Sequence, residues 1–410
     1  MAAFQEKLGK YADLIVKVGV NIQKNQILVI NTTIDNADLV RFITKKAYEI
    51  GAKDVIINWS DDVVSRLKYD LAPEEVFQEF PKWRAQERIE LAEQGAAFVS
   101  IVSSSPDLLK GVDGKRIAAF QKAAGTALNK FRQYIQSDKV SWTVVAAPSK
   151  DWAQKVFPDL SPETSVNKLW EAIFKAVRIN EEDPIKAWKQ HDQKLHEKVN
   201  YLNKKHFKKL HYTAPGTDLT IELPEKHLWV GAGSMNEQNV EFMANMPTEE
   251  VFTAPKKDGV YGYVSSTKPL SYGGNIIDEF KVTFENGRII NVEAKQGEDI
   301  LKELVETDEG SHYLGEVALV PHQSPISESN ILFFNTLFDE NASNHLAIGS
   351  AYAFCIDGGK QMSQDELAQA GLNSSITHVD FMIGSEHMNI DGILEDGTTE
   401  PLFRNGNWAF

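Results

Sequence analysis

The chain has 410 residues, 42% hydrophobic and 25% charged, with 58 acidic against 43 basic side chains and a formal net charge of -15. Such a length exceeds one ordinary hydrophobic core, so two domains are expected. The acidic balance argues against nucleic acid or an anionic membrane surface as partner. The single cysteine, Cys355, excludes an intrachain disulfide and any multi-cysteine zinc or iron–sulfur site; lying in an apolar run, it reads as a small core residue. The first residues lack a basic segment followed by an apolar one, and no stretch reaches the roughly 20 apolar residues of a membrane span. A cytoplasmic protein is expected.

Residues 4 to 21 carry an apolar stripe at helical spacing (Leu8, Tyr11, Ala12, Ile15, Val18). Residues 26 to 31 then read as a strand, 39 to 50 as a helix ending at Gly51, and 54 to 58 as a second strand, a βαβ unit that implies parallel pairing. The alternation continues with helix over 73 to 94, strand over 97 to 102, helix over 114 to 135, strand over 141 to 147 and helix over 162 to 177. Neither a G-x-G-x-x-G nor a G-x-x-x-x-G-K-[ST] run follows any of these strands, so nucleotide binding is unsupported. Ser103-Ser104-Ser105 has no G-x-S-x-G context and no histidine in its half of the chain, and reads as loop or cap.

A polar helix over 181 to 209 leads out of this region, and the pattern changes to hairpins. Residues 209 to 213 and 218 to 223 flank Pro215-Gly216; residues 279 to 284 and 288 to 292 flank Asn286-Gly287, a strong signal for a type I′ turn. Short helices return near 299 to 306 and 364 to 370. The fold class expected is α/β, with an N-terminal βαβ parallel-sheet domain over residues 1–200 and a mixed α+β, largely antiparallel domain over 201–410.

All ten histidines lie at or beyond His191, so imidazole chemistry belongs to the C-terminal part. In the apolar run Thr377-His378-Val379-Asp380-Phe381, strand spacing puts His378 and Asp380 on one face, as a metal-ligand pair or a buried ion pair. His345 follows a loop, near an element terminus where functional side chains concentrate. Glu249 and Glu250 sit between Pro247 and Pro255 beside apolar sequence, and Glu316 interrupts an otherwise apolar strand. A buried carboxylate needs a cation or a hydrogen-bond cluster; a salt bridge to a nearby Lys or Arg is the plain alternative for each.

Taken together, the segments 245–255, 314–320, 341–352 and 377–385 resemble the motifs of the aminopeptidase T and aminopeptidase S family of dinuclear metallo-aminopeptidases. That resemblance runs over essentially the whole chain. It implies Glu250, Glu316, His345, Tyr352, His378 and Asp380 as ligands of two divalent ions per chain, with Glu316 or Asp380 bridging them. It implies a homodimer whose active sites face an enclosed space, and short peptide substrates with a free N-terminus. Two imidazoles and three carboxylates without thiolate suit zinc, cobalt or manganese. Tyr352 is the less usual ligand, since its phenol needs a lowered pKa beside the cations. Glu316 and Glu249 are the candidates for moving the proton to the leaving amine. The absence of H-E-x-x-H removes the single-zinc helix arrangement. Two alternatives remain: another two-metal hydrolase of amides or esters, and a non-catalytic peptide-binding protein stapled by its metals.

Overall fold

The computed structural model describes residues 2–272 and 275–410, which divide into two compact units: Met1–Gln190 with Gly233–Pro247, and His191–Ala232 with Thr248–Phe410. One boundary at 200/201 does not describe this division, because the segment 233–247 belongs with the first unit.

In that first unit, strands β1 (Ile27–Thr33), β2 (Asp54–Ser60), β3 (Ala97–Val102) and β4 (Trp142–Ala146) form a parallel sheet in the order β2-β1-β3-β4. The helix Ala37–Ile50 joins β1 to β2 and buries Leu39, Val40, Ile43 and Ala47, one stripe at a spacing of three and four. Gly51 ends it at a φ of 104°, where a residue with a Cβ would be strained. The single helix expected over 73–94 is instead a 3-10 turn at Glu74–Phe77 and a helix at Lys82–Glu93. Pro81 divides them, since it lacks an N–H and restricts the residue before it. The helix expected over 114–135 is likewise two, Gly114–Ala127 and Asn129–Gln136. An unanticipated helix at Asp62–Leu71 starts on Asp61, whose carboxylate accepts from the Val64 N–H.

The first helix passes from Ala2–Leu14 into a π turn at Ile15–Gly19. Its carbonyl at Gly19 accepts from Met243 N–H at 2.7 Å. Val144 N–H then donates to Ala244 O at 2.8 Å, and Met246 N–H to Val144 O at 3.0 Å, so the returning segment covers the outer side of β4.

The second unit contains a nine-stranded sheet and a five-stranded sheet. In the former, Lys209–Ala214 pairs with Thr217–Glu222, and Asn275–Glu285 with Arg288–Gln296, both antiparallel. Asn286 and Gly287 have φ of 50° and 79°, the two positive values that a type I′ turn requires. The latter sheet is built from β5 (Val230–Gly231), β6 (Val251–Thr253), β7 (Leu314–Leu319), β8 (His345–Gly349) and β9 (His378–Met382), antiparallel throughout, in the order β9-β8-β7-β6-β5. Parallel α/β followed by largely antiparallel structure is the expected fold class. Trp408 packs on Phe403, and Phe410 stacks on Tyr201 with centroids 3.8 Å apart, so the C-terminal aromatics dock within their own unit. Among the described residues, no helix is long and apolar enough to cross a membrane.

A buried histidine gives this unit an acid-sensitive point. His227 is 1% exposed, its ring lies parallel to His206 with centroids 4.5 Å apart, and its Nδ1 is 2.8 Å from Pro224 O. That carbonyl accepts a hydrogen bond from Nδ1–H, leaving Nε2 as a buried acceptor with no partner among the described residues. Burial, with His206 and Lys208 nearby, pushes its pKa down to about 4. A histidine with a depressed folded pKa binds more protons unfolded, so stability is full above pH 6.5 and is lost as the pH falls toward 4. The effect is on the order of 3 kcal/mol. We expect His227→Leu to reduce the pH dependence of the urea midpoint between pH 7 and 4.5 by up to one proton; identical slopes in the two proteins would refute this.

Candidate metal centre

In a strand, alternate residues share a face, and directly opposed residues on neighbouring strands share it too. Register therefore decides which side chains meet. Glu316 on β7 lies opposite Ala347 on β8, and Ala347 lies opposite Asp380 on β9. His345 is opposite Ala318 and Met382, while Gly349 is opposite His378. Phe252 on β6 is opposite Ala318, so Glu250, two residues earlier, belongs to this face as well. Glu250, Glu316, His345, His378 and Asp380 thus converge from three strands and the residue just before a fourth. Between them β8 presents only Ala347 and Gly349, and these small residues leave the space that the larger side chains surround.

A bulge at Gly315 sets the aim of Glu316. The β7–β8 register shifts between Leu314 and Glu316, and a Cβ at Gly315 would lie 2.3 Å from Ser350 O. Only glycine permits that approach.

The result is two groups sharing one carboxylate. Glu250, Glu316 and His345 form the first, and Glu316, His378 and Asp380 the second; in each, one N or O atom per residue lies within 4.8 Å of the others. His345 Nε2 is 3.1 Å from Glu250 Oε2 and 3.5 Å from Glu316 Oε1. His378 Nε2 is 3.6 Å from Glu316 Oε2 and 3.5 Å from Asp380 Oδ1. Glu316 thus offers one oxygen to each imidazole. Both rings are oriented from behind: His345 Nδ1 is 3.0 Å from Ser343 O, and His378 Nδ1 is 2.8 Å from Ser350 O. Each carbonyl accepts the Nδ1 proton, so the Nε2 lone pair of the neutral ring points at the carboxylates.

The electrostatics follow. Burial acts to lower the pKa of His345, but the hydrogen-bonding and charge of Glu250 and Glu316 raise it well above the ordinary value. His378 is pushed up to about 9, burial again being overcome by Asp380 and Glu316. Glu316 itself is raised by burial and by Asp380 and Glu250. Burial and the charges of Glu316, Asp380, Glu340 and Glu250 hold the Tyr352 phenol protonated; its ring lies 4.9 Å from that of His378.

Do these residues suit a cation? With both imidazoles neutral, Nε2 of His345 and of His378 turns a lone pair to Glu250 Oε2 and Asp380 Oδ1, which are then buried acceptors without a hydrogen-bond partner among the described residues. A buried carboxylate oxygen in that state is costly. A divalent cation offers the missing partner, and a set of imidazole and carboxylate donors without thiolate matches zinc, cobalt or manganese. The residues fit such an ion.

Glu249 lies elsewhere, 3.5 Å from His191, with its N–H donating to Asn341 Oδ1 at 2.7 Å. It belongs to neither group. His312, 3.6 Å from Glu306, and His322, 3.4 Å from Ser327, are also outside them. Sequence reasoning missed Glu340, whose pKa is raised well above the ordinary value by burial and then by Glu250 and Asp380. The charge of the cluster thus reaches it, and its Oε1 accepts from Asn341 Nδ2 at 3.4 Å. The signal was available in Asp339-Glu340-Asn341, an acidic pair amid buried apolar sequence like Glu249-Glu250. Asn341 is fully buried and joins the two regions, accepting from Glu249 N–H and donating to Leu337 O at 3.0 Å.

The chain belongs to the thermophilic metalloprotease family M29, whose profile it matches over residues 4–408. It is 70% identical to aminopeptidase AmpS of Bacillus subtilis over 410 residues, covering all of both chains, and 41% identical to aminopeptidase T of Thermus aquaticus over 409 residues, again covering both. The solved structure of wild-type AmpT from Thermus thermophilus superposes with a TM-score of 0.94 at 40% identity, covering 99% of this chain and 100% of that one.

If the small residue between Glu316 and Asp380 is what makes room for a cation, Ala347→Leu should fill that space. We expect loss of divalent-metal binding by calorimetric titration, with far-ultraviolet circular dichroism unchanged. Metal binding at the original affinity in the variant would place the cation elsewhere.

Proposed function

We propose that the protein is a metal-dependent aminopeptidase acting on peptides with a free N-terminus. The observation that carries this reading is the shared Glu316, flanked by two imidazoles whose Nε2 atoms are both turned toward carboxylates. Glu250, Glu316 and His345 would hold one divalent ion, and Glu316, His378 and Asp380 a second, with Tyr352 at the margin. Bound ions of this kind supply Lewis acidity and acidify water at neutral pH.

The chain's own residues account for the rest. Ser343 O and Ser350 O fix the two rings, so the ligand atoms need little reorganisation. Glu316 is engaged by both rings, and Glu249 sits beside His191. We therefore assign the proton that goes to the departing amine to the Glu340 carboxyl, whose charge is coupled to that of the cluster. An acidic side chain would recognise the free α-ammonium, and acetylation removes that charge. Two ions per chain, a homodimer enclosing its sites, a cytoplasmic location, and no nucleic-acid or membrane partner belong to this same reading; the net charge of -15 is in keeping with the last.

Protein stripped with chelator and refilled with zinc, cobalt or manganese should release p-nitroaniline from amino-acid p-nitroanilides and leave N-acetylated analogues intact. Equal cleavage of both sets would favour a different amide hydrolase. Chelation that lowers the melting temperature of a protein with no turnover would favour a metal-stapled binding protein. Glu316→Gln and His345→Ala should each lower kcat/KM by at least about a thousandfold, on the scale of lost transition-state stabilisation, with the fold retained by circular dichroism. Full activity in either would remove that residue from the centre.

A further inference from the structure

The strand that carries His378 and Asp380 is at the edge of its sheet: among the described residues, β9 pairs with β8 alone. Which of its backbone groups face outward follows from the bonds just beyond each end. Ser350 N–H donates to Thr377 O at 2.8 Å, and Ile383 N–H to Asn344 O at 2.9 Å. In an antiparallel ladder, hydrogen-bonded and non-bonded pairs alternate. Thr377, Val379, Phe381 and Ile383 therefore bond inward to β8, while His378, Asp380 and Met382 direct N–H and C=O away from the sheet.

Those outward groups are not equivalent. Met382 O is taken by Thr267 N–H at 2.9 Å, and Thr267 Oγ1 also donates to Gly384 O at 2.8 Å. That end of the edge is closed. At Asp380 the group engaging the outward N–H, among the described residues, is the residue's own carboxylate. Beyond His378 the strand runs out past Ile376, whose side chain is 83% exposed. Among the described residues, the length of edge with no strand beside it is thus two alternate residues long, and both residues are candidate metal ligands.

Resting on the aminopeptidase reading, we propose that the substrate peptide binds by adding itself to β9 as a further antiparallel strand, its N-terminal residue at the Asp380 end and its chain leaving past His378 toward Ile376. Extended peptides bind exposed sheet edges through main-chain hydrogen bonds, which give affinity without demanding particular side chains. The polarity comes from the closed end: a chain extending past its first residue in the other direction meets Thr267. The same contact then accounts for a preference for chain ends over internal bonds. Backbone pairing at His378 and Asp380 also positions the scissile bond by the residues that hold the ions.

Antiparallel pairing makes a distinctive demand on the substrate, because only alternate peptide N–H groups face the strand. The test uses a pentapeptide with a free N-terminus and versions N-methylated at the third or the fourth residue, leaving the scissile amide untouched. We expect methylation at one of the two positions to raise KM and lower kcat/KM by about tenfold, the scale of one lost hydrogen bond, and methylation at the other to change it less than about twofold. Equal sensitivity, or none, would overturn the proposal. Hydrogen exchange supplies a readout independent of turnover. The same peptide with its scissile amide reduced to CH2–NH, added in excess to metal-loaded protein, should slow exchange at amides within 376–382. Absence of that protection would overturn the strand pairing even if the unmodified peptide were hydrolysed. Protection without hydrolysis of any peptide would keep the pairing and sink the aminopeptidase reading.

Discussion

Concentrating negative charge inside a protein is the constraint on which the second unit depends. Glu250, Glu316 and Asp380, with the charge of Glu340 coupled to theirs, are brought together where water is scarce, and among the described residues two imidazoles answer them. Taken from solvent without compensation, each carboxylate would cost several kcal/mol or take up a proton. The raised pKa values of His345 and His378, and the unsatisfied oxygens of Glu250 and Asp380, are two expressions of this deficit of positive charge. Divalent cations resolve it. Membership of a metalloprotease family and the electrostatics of the chain thus point to the same requirement.

The surrounding structure serves to keep those groups from relaxing. An antiparallel sheet fixes which residues share a face; Ala347 and Gly349 keep the middle of that face low; and the Gly315 bulge turns Glu316 into it. Behind the ligands, Ser343 O and Ser350 O orient the rings, and Asn344 Oδ1 accepts from Val320 N–H at 2.7 Å, tying the end of β7 to the residue before His345. Asn341 likewise ties the Glu249-Glu250 segment to the turn bearing Glu340. These buried asparagines stand at the margin of the cluster, Asn341 Nδ2 donating to Glu340 Oε1 at 3.4 Å. They hold the loops from which it is built, and their amides satisfy backbone groups that would otherwise be stranded in the interior.

Two of the candidate ligands lie on an edge strand. A buried central strand could present side chains but no backbone, whereas β9 presents both. Edges are normally blunted to prevent association with other chains; here Thr267 blunts the Met382 end, and the length bearing His378 and Asp380 has no further strand beside it among the described residues. The same economy is absent from the parallel sheet, where the returning segment 243–246 covers β4.

Much of this was legible in the order of residues. Local grammar set the βαβ units, the Gly51 helix stop and the Asn286-Gly287 turn, because those depend on near neighbours and on φ preferences. Alternation placed His378 and Asp380 on one face, and the burial of Glu316 in an apolar strand marked it as needing a partner. Interruptions at Pro81 and near Leu128 were harder to place, since apolar periodicity continues across them. What sequence alone could not supply was register across strands. Opposing Glu316, Ala347 and Asp380 requires β7, β8 and β9 to meet from positions far apart in the chain, and a one-residue slip would turn the ligands to the other face. Nor could it show that Glu340 is coupled in charge to the cluster while Glu249 turns to His191, that 233–247 returns to the first unit, or that β9 lies at an edge. Those are decided by long-range packing, which local preference does not encode.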